Sequence, residues 1–135
     1  MALRVFIVDD EEIARLKIRD LLLQEDDVEI VGEAGNGPEA VRGIQAAKPD
    51  LVFLDVRMPG LNGFEVLEAV DLDPLPAVIF ATAYDQYALR AFEQHALDYL
   101  LKPFDQDRFH AALDHARLRL ARISTREFLV KPPSV

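Results

Sequence analysis

Three carboxylates, one hydroxyl and one ammonium group stand directly after short apolar runs of the sequence. The residues concerned are Asp9, Asp10, Asp55, Thr82 and Lys102. Carboxylate oxygens are the ligands that hard divalent cations prefer, and an ammonium group beside such a cation can neutralise an incoming anion. This set of side chains could therefore bind a metal ion together with an anionic group, and a phosphoryl group is the anion that fits it best.

The apolar runs themselves predict five β-strands, at about residues 3–8, 28–31, 51–54, 77–81 and 97–101. Amphipathic stretches between them predict helices, of which the first covers about residues 11–24, and Asn62 and Asp105 are the expected N-caps of two later ones. Strands that are apolar on both faces and alternate with helices indicate a parallel sheet covered on both sides. Ligands bind at the carboxyl ends of such strands, so the five side chains should share one edge of the sheet.

Each of these residues has an ordinary structural explanation when it is considered alone. Asp9 or Asp10 could cap the helix that follows, Thr82 could be a β-branched strand residue, and Lys102 before Pro103 could mark a turn. Their joint placement favours a binding site. Three carboxylates in one cleft repel one another, and a divalent cation offsets that repulsion. Oxygen ligands in a chain without cysteine suit Mg²⁺ better than zinc.

Length and charge restrict the classes of function. The chain has 135 residues, enough for one domain, and 24 acidic against 15 basic side chains give a net charge of −9. A chain this acidic should be repelled by nucleic-acid phosphates. No apolar run approaches the roughly 20 residues that cross a bilayer, and acidic residues interrupt the start of the chain where a signal peptide would be apolar. We therefore expect a cytoplasmic protein with no membrane partner.

Four segments resemble the response-regulator receiver domain of two-component signalling. They are VDDE at 8–11, LDVRMPGLNG at 54–63, TA at 82–83 and LKPF at 101–104. The resemblance covers about residues 3–122 and implies a flavodoxin-like (βα)5 fold, a three-layer sandwich whose five-stranded parallel sheet has the order 2-1-3-4-5. The segments ATAYDQYALRAF at 81–92 and ALDYLLKPF at 96–104 are similar to receivers that precede LytTR-type (LytR/AlgR) DNA-binding domains.

The resemblance implies a role for each residue at this edge of the sheet. Asp55 matches the phosphoacceptor, which takes a phosphoryl group from a sensor histidine kinase. Asp9, Asp10, Asp55 and the backbone carbonyl of Arg57 match the ligands of Mg²⁺, for which Mn²⁺ can substitute. Lys102 matches the cation that neutralises the phosphoryl oxygens. Such a domain is a phosphoacceptor rather than an enzyme, and it assists only its own phosphorylation and dephosphorylation.

Two further residues match the switch of the family. Thr82 would move to hydrogen-bond the phosphoryl group, and Tyr99 would turn inward when Thr82 moves. The family's usual output surface is helix four, strand five and helix five, here about residues 85–122, through which a phosphorylated homodimer is expected. The peptide bond between Lys102 and Pro103 is expected to be cis.

The lifetime of the phosphorylated state is expected to depend on two large side chains. In the family, the residues two positions after the phosphoacceptor and two after the switch hydroxyl modulate attack by water. Here they are Arg57 and Tyr84, and we hypothesise that they screen the phosphoryl group and make self-dephosphorylation slow.

The end of the chain is expected to lie outside the receiver. Residues 1–122 form the predicted receiver domain and residues 123–135 a linker or tail. The segment REFLVK at 126–131 resembles the opening strand of a LytTR domain whose remainder this chain lacks. Phosphorylation would then control transcription, with DNA bound only by the absent domain. The alternative is a stand-alone receiver or scaffold without a DNA-binding output.

Two alternatives come from other classes of protein. The first is a phosphohydrolase with an aspartate nucleophile, similar to the haloacid-dehalogenase group, but its second aspartate would fall at position 57, which is Arg57. The second is a flavodoxin-like nucleotide or flavin binder, whose phosphate-binding loop would be the Gly35-Asn36-Gly37 turn. That turn lacks the glycine spacing of known phosphate loops. The three histidines, at positions 95, 110 and 115, are expected to lie away from the site.

Overall fold

Five strands and five helices alternate along the chain in a computed structural model that describes the backbone of residues 2–130 and the side chains of residues 2–122. The strands are β1 (Leu3–Val8), β2 (Val28–Ala34), β3 (Leu51–Leu54), β4 (Ala77–Thr82) and β5 (Asp98–Leu101). The helices are α1 (Glu12–Leu23), α2 (Gly37–Ala47), α3 (Gly63–Ala69), α4 (Ala88–Glu93) and α5 (Gln106–Val130). In the described part of the chain no helix is both long and apolar enough to cross a membrane.

The strands form one parallel sheet in the order β2-β1-β3-β4-β5. This order and the alternation of strands with helices confirm the flavodoxin-like (βα)5 sandwich. From β1 the chain forms β2 on one side of the sheet and then β3, β4 and β5 on the other side. Strands β1 and β3 therefore lie side by side and end at the same edge. Val8 pairs with Leu54 as the last residue of each strand, and therefore Asp9 and Asp55 emerge next to each other.

Two hydrophobic layers hold the helices on opposite faces of the sheet. Alternate residues of a strand point to opposite faces, and β3 follows this rule: Phe53 packs in the layer with α1 and α5, whereas Leu54 packs in the layer with α2, α3 and α4. All four residues of β3 are fully buried. The acceptor strand is thus fixed from both sides, which restricts the position of any group at its end.

Helix caps confirm the local predictions. The Asn62 side chain accepts a hydrogen bond from the Glu65 backbone, and the Glu65 side chain accepts one from the Asn62 backbone, which forms a complete capping box. Asp105 accepts from the Arg108 backbone at 2.7 Å. The Lys102–Pro103 bond is cis, as the resemblance implies, and Asp73–Pro74 is a second cis bond.

Two elements differ from the prediction. Strand β2 continues to Ala34 instead of ending near residue 31. The reason is that residues 6–8 of β1 pair with residues 32–34 of β2, after a register shift between Val5 and Phe6. The expected strand at 126–131 is wrong for residues 126–130, whose backbone continues α5. Residues 106–130 contain no glycine or proline that would end a helix. Lys131 lies outside the described residues, and the expected boundary at 122/123 stays a prediction.

Candidate functional site

The backbone brings four of the predicted site residues to one edge of the sheet. Asp55 donates its N–H to Val8 at 3.0 Å, and Lys102 donates its N–H to Thr82 at 2.8 Å. Hydrogen bonding between neighbouring strands therefore continues one residue past their ends and fixes where these side chains leave the sheet. Asp9, Asp55 and Thr82 are respectively 1%, 5% and 0% exposed. Buried carboxylates of this kind require a compensating charge.

Lys102 supplies that charge. Its Nζ lies 2.6 Å from Asp9 Oδ2 and 3.2 Å from Asp55 Oδ2, and 17% of its side chain is exposed. Among the described side chains, no other cation lies within 4.0 Å of these two carboxylates. Burial favours the neutral amine, but the hydrogen bond to Asp9 and the charge of Asp55 outweigh it and raise the pKa of Lys102. The ammonium form is therefore favoured where an anion would arrive.

Asp9 combines a structural contact with its place in the site. Its Oδ1 accepts a hydrogen bond from the Glu11 backbone at 2.9 Å at the start of α1, while its Oδ2 faces Lys102. Burial raises the pKa of Asp9 despite the hydrogen bond from Lys102. The bond to Glu11 closes a turn before the helix and does not cap it, since the N-cap of α1 is Glu11 and no side chain caps this helix.

A cluster of four carboxylates could hold a metal ion. Asp9, Asp10, Glu11 and Asp55 each offer an oxygen, and these atoms lie within 4.8 Å of one another. Asp9 and Asp55 are buried, whereas Asp10 and Glu11 face solvent. A donor set of oxygens alone, open on one side, fits Mg²⁺ or Mn²⁺, which bind a few carboxylates and keep part of their water shell. Glu11 was not among the predicted ligands, although it directly follows the two aspartates in sequence.

Thr82 and Tyr99 lie on either side of the loop that follows β4. The Thr82 hydroxyl accepts a hydrogen bond from the Tyr84 backbone at 3.4 Å, and the Tyr99 hydroxyl donates to the Tyr84 carbonyl. The Tyr99 ring is buried and packs against Phe80, with the ring centres 6.2 Å apart. Burial, with the negative charges of nearby carboxylates, raises the pKa of Tyr99. The tyrosine is therefore inward in this structure and joined to the loop that carries Tyr84.

Arg57 lies across the opening between two loops. Its backbone N–H donates to Asp55 Oδ1 at 3.4 Å, and its guanidinium carbon lies 4.4 Å from the centre of the Tyr84 ring. The same guanidinium donates to the Tyr87 hydroxyl, at 3.1 Å from Nη2 and 3.4 Å from Nε. Tyr87 was not predicted to take part, because its distance from Arg57 in the sequence gives no sign of the contact.

The three histidines lie outside this group of residues, as expected. His95 follows α4 with a φ of 65°. His110 Nε2 lies 3.5 Å from Glu25, and His115 Nδ1 lies 3.6 Å from Asp98. Neither of these two acids belongs to the carboxylate cluster.

The family model of the response regulator receiver domain matches residues 5–114. Among curated proteins, the chain is 49% identical over 131 residues to an uncharacterized response regulatory protein of Yersinia pestis, covering 96% of this chain and 51% of that protein. It is 45% identical over 120 residues to the transcriptional regulatory protein BtsR of Escherichia coli K12, covering 89% and 49%. The chain thus spans about half the length of these relatives.

Solved structures share the fold. The response regulatory domain of mrkE from Klebsiella pneumoniae has a TM-score of 0.82 at 31% identity, with 88% of this chain and 98% of that chain covered. The receiver domain of AraT from Geobacillus stearothermophilus has a TM-score of 0.83 at 33% identity, with 92% and 99% covered. Both matches extend over nearly the whole of the compared domain.

Proposed function

The chain belongs to the response-regulator receiver family, and from this premise we propose that Asp55 is its phosphoacceptor and that Mg²⁺ assists the transfer. As a receiver domain it is a signalling phosphoacceptor and not a catalytic enzyme. The observation that carries the proposal is the arrangement around Asp55. Its buried carboxylate directly follows the central strand β3 and lies 3.2 Å from the Lys102 ammonium, beside three further carboxylates.

The proposed reaction is phosphoryl transfer from a phosphohistidine of a sensor histidine kinase. An Asp55 carboxylate oxygen forms a bond to phosphorus while the bond between phosphorus and the histidine nitrogen breaks, and the imidazole leaves. Phosphoryl transfer depends on positioning and charge neutralisation more than on covalent assistance. Lys102 is held beside the acceptor by its contacts with Asp9 and Asp55, so its ammonium group can bind an oxygen of the arriving phosphoryl group.

We propose that Asp9, Asp10, Asp55 and the Arg57 carbonyl hold the metal ion, with Glu11 as an added acidic neighbour. When bound, Mg²⁺ supplies positive charge to the phosphoryl oxygens, and Mn²⁺ suits the same donor set. These residues fit Mg²⁺ because the carboxylates offer only oxygen ligands. Two of the carboxylates are buried and two are exposed to solvent.

The switch would then follow from the new charge. A phosphoryl group adds about −1.5 to −2 charges at neutral pH. The Thr82 hydroxyl would exchange its hydrogen bond with the Tyr84 backbone for one to a phosphoryl oxygen. Movement of the loop that carries Tyr84 would change the hydrogen bonding of Tyr99, whose hydroxyl donates to the Tyr84 carbonyl. This couples the acceptor to the surface formed by α4, β5 and α5.

That surface is the proposed site of a phosphorylation-dependent homodimer, over about residues 85–122. It exposes large apolar side chains on two neighbouring elements, Leu89 and Phe92 of α4 and Leu101 of β5. Burial of such side chains in a dimer is favourable in proportion to the area removed from water.

The output that we propose is control of transcription in the cytoplasm by a LytTR-type DNA-binding domain outside this chain. Support comes from relatives about twice as long that are named transcriptional regulators. A stand-alone receiver or scaffold is the alternative output.

The alternatives from other classes are not supported. A haloacid-dehalogenase type of phosphohydrolase needs an acid at position 57, where Arg57 lies over Tyr84. The glycine-containing turn suggested for nucleotide binding serves instead as the N-terminus of α2, where the Asn36 side chain accepts from the Glu39 backbone. A β-carbon added to Gly37 would lie 2.7 Å from the Leu61 backbone, so that this turn is packed closely against another loop.

Intact-mass measurement after incubation with acetyl phosphate and Mg²⁺ tests the proposal. The wild type should gain about 80 Da, one phosphoryl group, and Asp55→Asn should gain none. Asp71→Asn, at an exposed position away from the cluster, is the matched control and should gain the same mass as the wild type. Equal labelling of the Asp55→Asn variant would disprove the assignment of the acceptor.

A further inference from the structure

The side chain of Arg57 is held in one place although it is exposed. Its guanidinium group stacks over the Tyr84 ring at 4.4 Å and donates two hydrogen bonds to the Tyr87 hydroxyl. A long exposed arginine ordinarily samples many rotamers, and fixing it costs conformational entropy. Two independent contacts on one guanidinium group offset that cost and favour a single position.

These contacts connect two loops that flank the proposed acceptor. Arg57 belongs to the loop after β3 and follows Asp55 by two residues, whereas Tyr84 belongs to the loop after β4 and follows Thr82 by two. The Arg57 backbone also bonds to the Asp55 carboxylate. The stacked pair therefore joins the two loops, one of which carries Asp55, the group that would hold phosphorus.

Tyr87 is the fixed member of this arrangement. It immediately precedes α4, and its carbonyl accepts the Ala91 N–H at 2.9 Å in the first turn of that helix. Its ring packs against the fully buried Phe64 and against Tyr84, with ring centres 6.3 Å apart in both pairs. Core packing thus sets the position of the Tyr87 hydroxyl, and the hydroxyl in turn sets the position of Arg57.

We propose that Tyr87 is a positioning residue that holds Arg57 over Tyr84 as a cover on the phosphorylated site and so prolongs the phosphorylated state. This inference rests on the proposed function of Asp55. The reaction that the cover opposes is hydrolysis: a water oxygen bonds to phosphorus, the bond between phosphorus and the Asp55 oxygen breaks, and inorganic phosphate leaves with the water's protons shared between it and solvent. Asp55 regains its carboxylate. Water must reach phosphorus on the side opposite the bond that breaks.

A neighbouring arginine provides a matched control. The Arg90 guanidinium lies 4.1 Å from the centre of the Phe64 ring. This is the same kind of contact, made on a ring that itself packs against Tyr87. Its stacking partner is neither of the two tyrosines that hold Arg57. Arg90→Met removes one neighbouring guanidinium group and leaves the Arg57 contacts intact.

The experiment measures how fast the added phosphoryl group is lost. Each variant is labelled with acetyl phosphate and Mg²⁺, the donor is removed, and the decay of the heavier species is followed by intact mass. Tyr87→Phe keeps the ring and removes only the hydroxyl, and it should raise the decay rate by about threefold to tenfold, the range expected for the loss of one ordinary, solvent-exposed hydrogen bond. Arg57→Met keeps the backbone carbonyl and should raise the rate at least as much. Arg90→Met should decay like the wild type.

The double variant separates positioning from a general structural role. If Tyr87 acts through Arg57, adding Tyr87→Phe to Arg57→Met should cause no further increase. An equal increase in both backgrounds would overturn the inference, and so would unchanged decay in Tyr87→Phe or slower decay in Arg57→Met. In each of those outcomes the proteins still gain one phosphoryl group, so the proposed function stands. If the wild type gains none, the acceptor assignment and the cover both fail.

Discussion

Replacement of Lys102 by methionine should destabilise the domain because it leaves two buried carboxylates without their counter-ion. Methionine keeps much of the apolar stem of lysine and removes the charge that lies 2.6 Å from Asp9 and 3.2 Å from Asp55. Breaking a buried ion pair in this way costs about 3–5 kcal/mol. The site is partly open, since 17% of the Lys102 side chain is exposed, so water can replace some of the lost interaction. We therefore expect a loss of about 2–4 kcal/mol in the free energy of unfolding.

Denaturant unfolding with EDTA and again with Mg²⁺ is the assay for this prediction. A cation that binds the folded state alone adds stability by mass action, and in Lys102→Met it would also replace the missing charge. Mg²⁺ should therefore stabilise the variant more than the wild type. The matched control is Lys17→Met, because Lys17 donates to the neutral Phe104 carbonyl at 2.7 Å, and its loss should cost about 1 kcal/mol or less. If Lys102→Met is no less stable than Lys17→Met in EDTA, the electrostatic reasoning is refuted.

Two further predictions concern packing and pH. In Gly63→Ala, the added β-carbon would lie 2.5 Å from the Asp55 backbone carbonyl, which should cost about 1–3 kcal/mol of stability and slow phosphorylation. In Gly35→Ala the nearest atom is the end of a flexible side chain at 3.2 Å, so thermal melting of this control should change little. The hydrogen bond from Arg117 lowers the pKa of Asp27 below 3.8, so the unfolded state binds more protons between the two pKa values. Asp27→Asn should therefore lower stability at pH 7 by about 0.5–1 kcal/mol, and the difference from wild type should vanish as pH falls below 3.8 through the lowered pKa. A difference that does not shrink as the pH falls below 3.8 would contradict the contribution of the Asp27–Arg117 ion pair.

The predictable part of the site is the part that the backbone determines. Asp9, Asp55, Thr82 and Lys102 each follow an apolar run, and a parallel sheet brings the ends of its strands to one edge. Once the runs are recognised as strands, the convergence of these residues follows without knowledge of side-chain conformations. The cap at Asn62 was predictable because it depends on a local pattern, whereas the strand order followed from the resemblance to the receiver family.

The unpredicted part depends on side-chain direction and on contacts between loops. Tyr87 reaches Arg57 from a loop 30 residues away, and the periodicity of neither segment indicates the contact. Glu11 is the N-cap of α1 and offers an oxygen within 4.8 Å of those of the three aspartates, a side-chain direction that the sequence pattern does not indicate. At residues 126–130 the structure continues α5 where a strand is expected from similarity to another domain, because this segment contains no glycine or proline that would end the helix.

The central claim is that the buried carboxylate of Asp55 accepts the phosphoryl group. Borohydride reduces an acyl phosphate to an alcohol and so leaves a stable mark on the acceptor, which can be located by fragmenting the tryptic peptide of residues 43–57. That peptide contains Asp50 as an internal control, 5 residues before Asp55. After labelling with acetyl phosphate, the mark should appear on Asp55 when Mg²⁺ is present and be absent when EDTA replaces it. A mark on Asp50, on Asp9 or Asp10 in the tryptic peptide of residues 5–15, or on no aspartate at all would contradict the account.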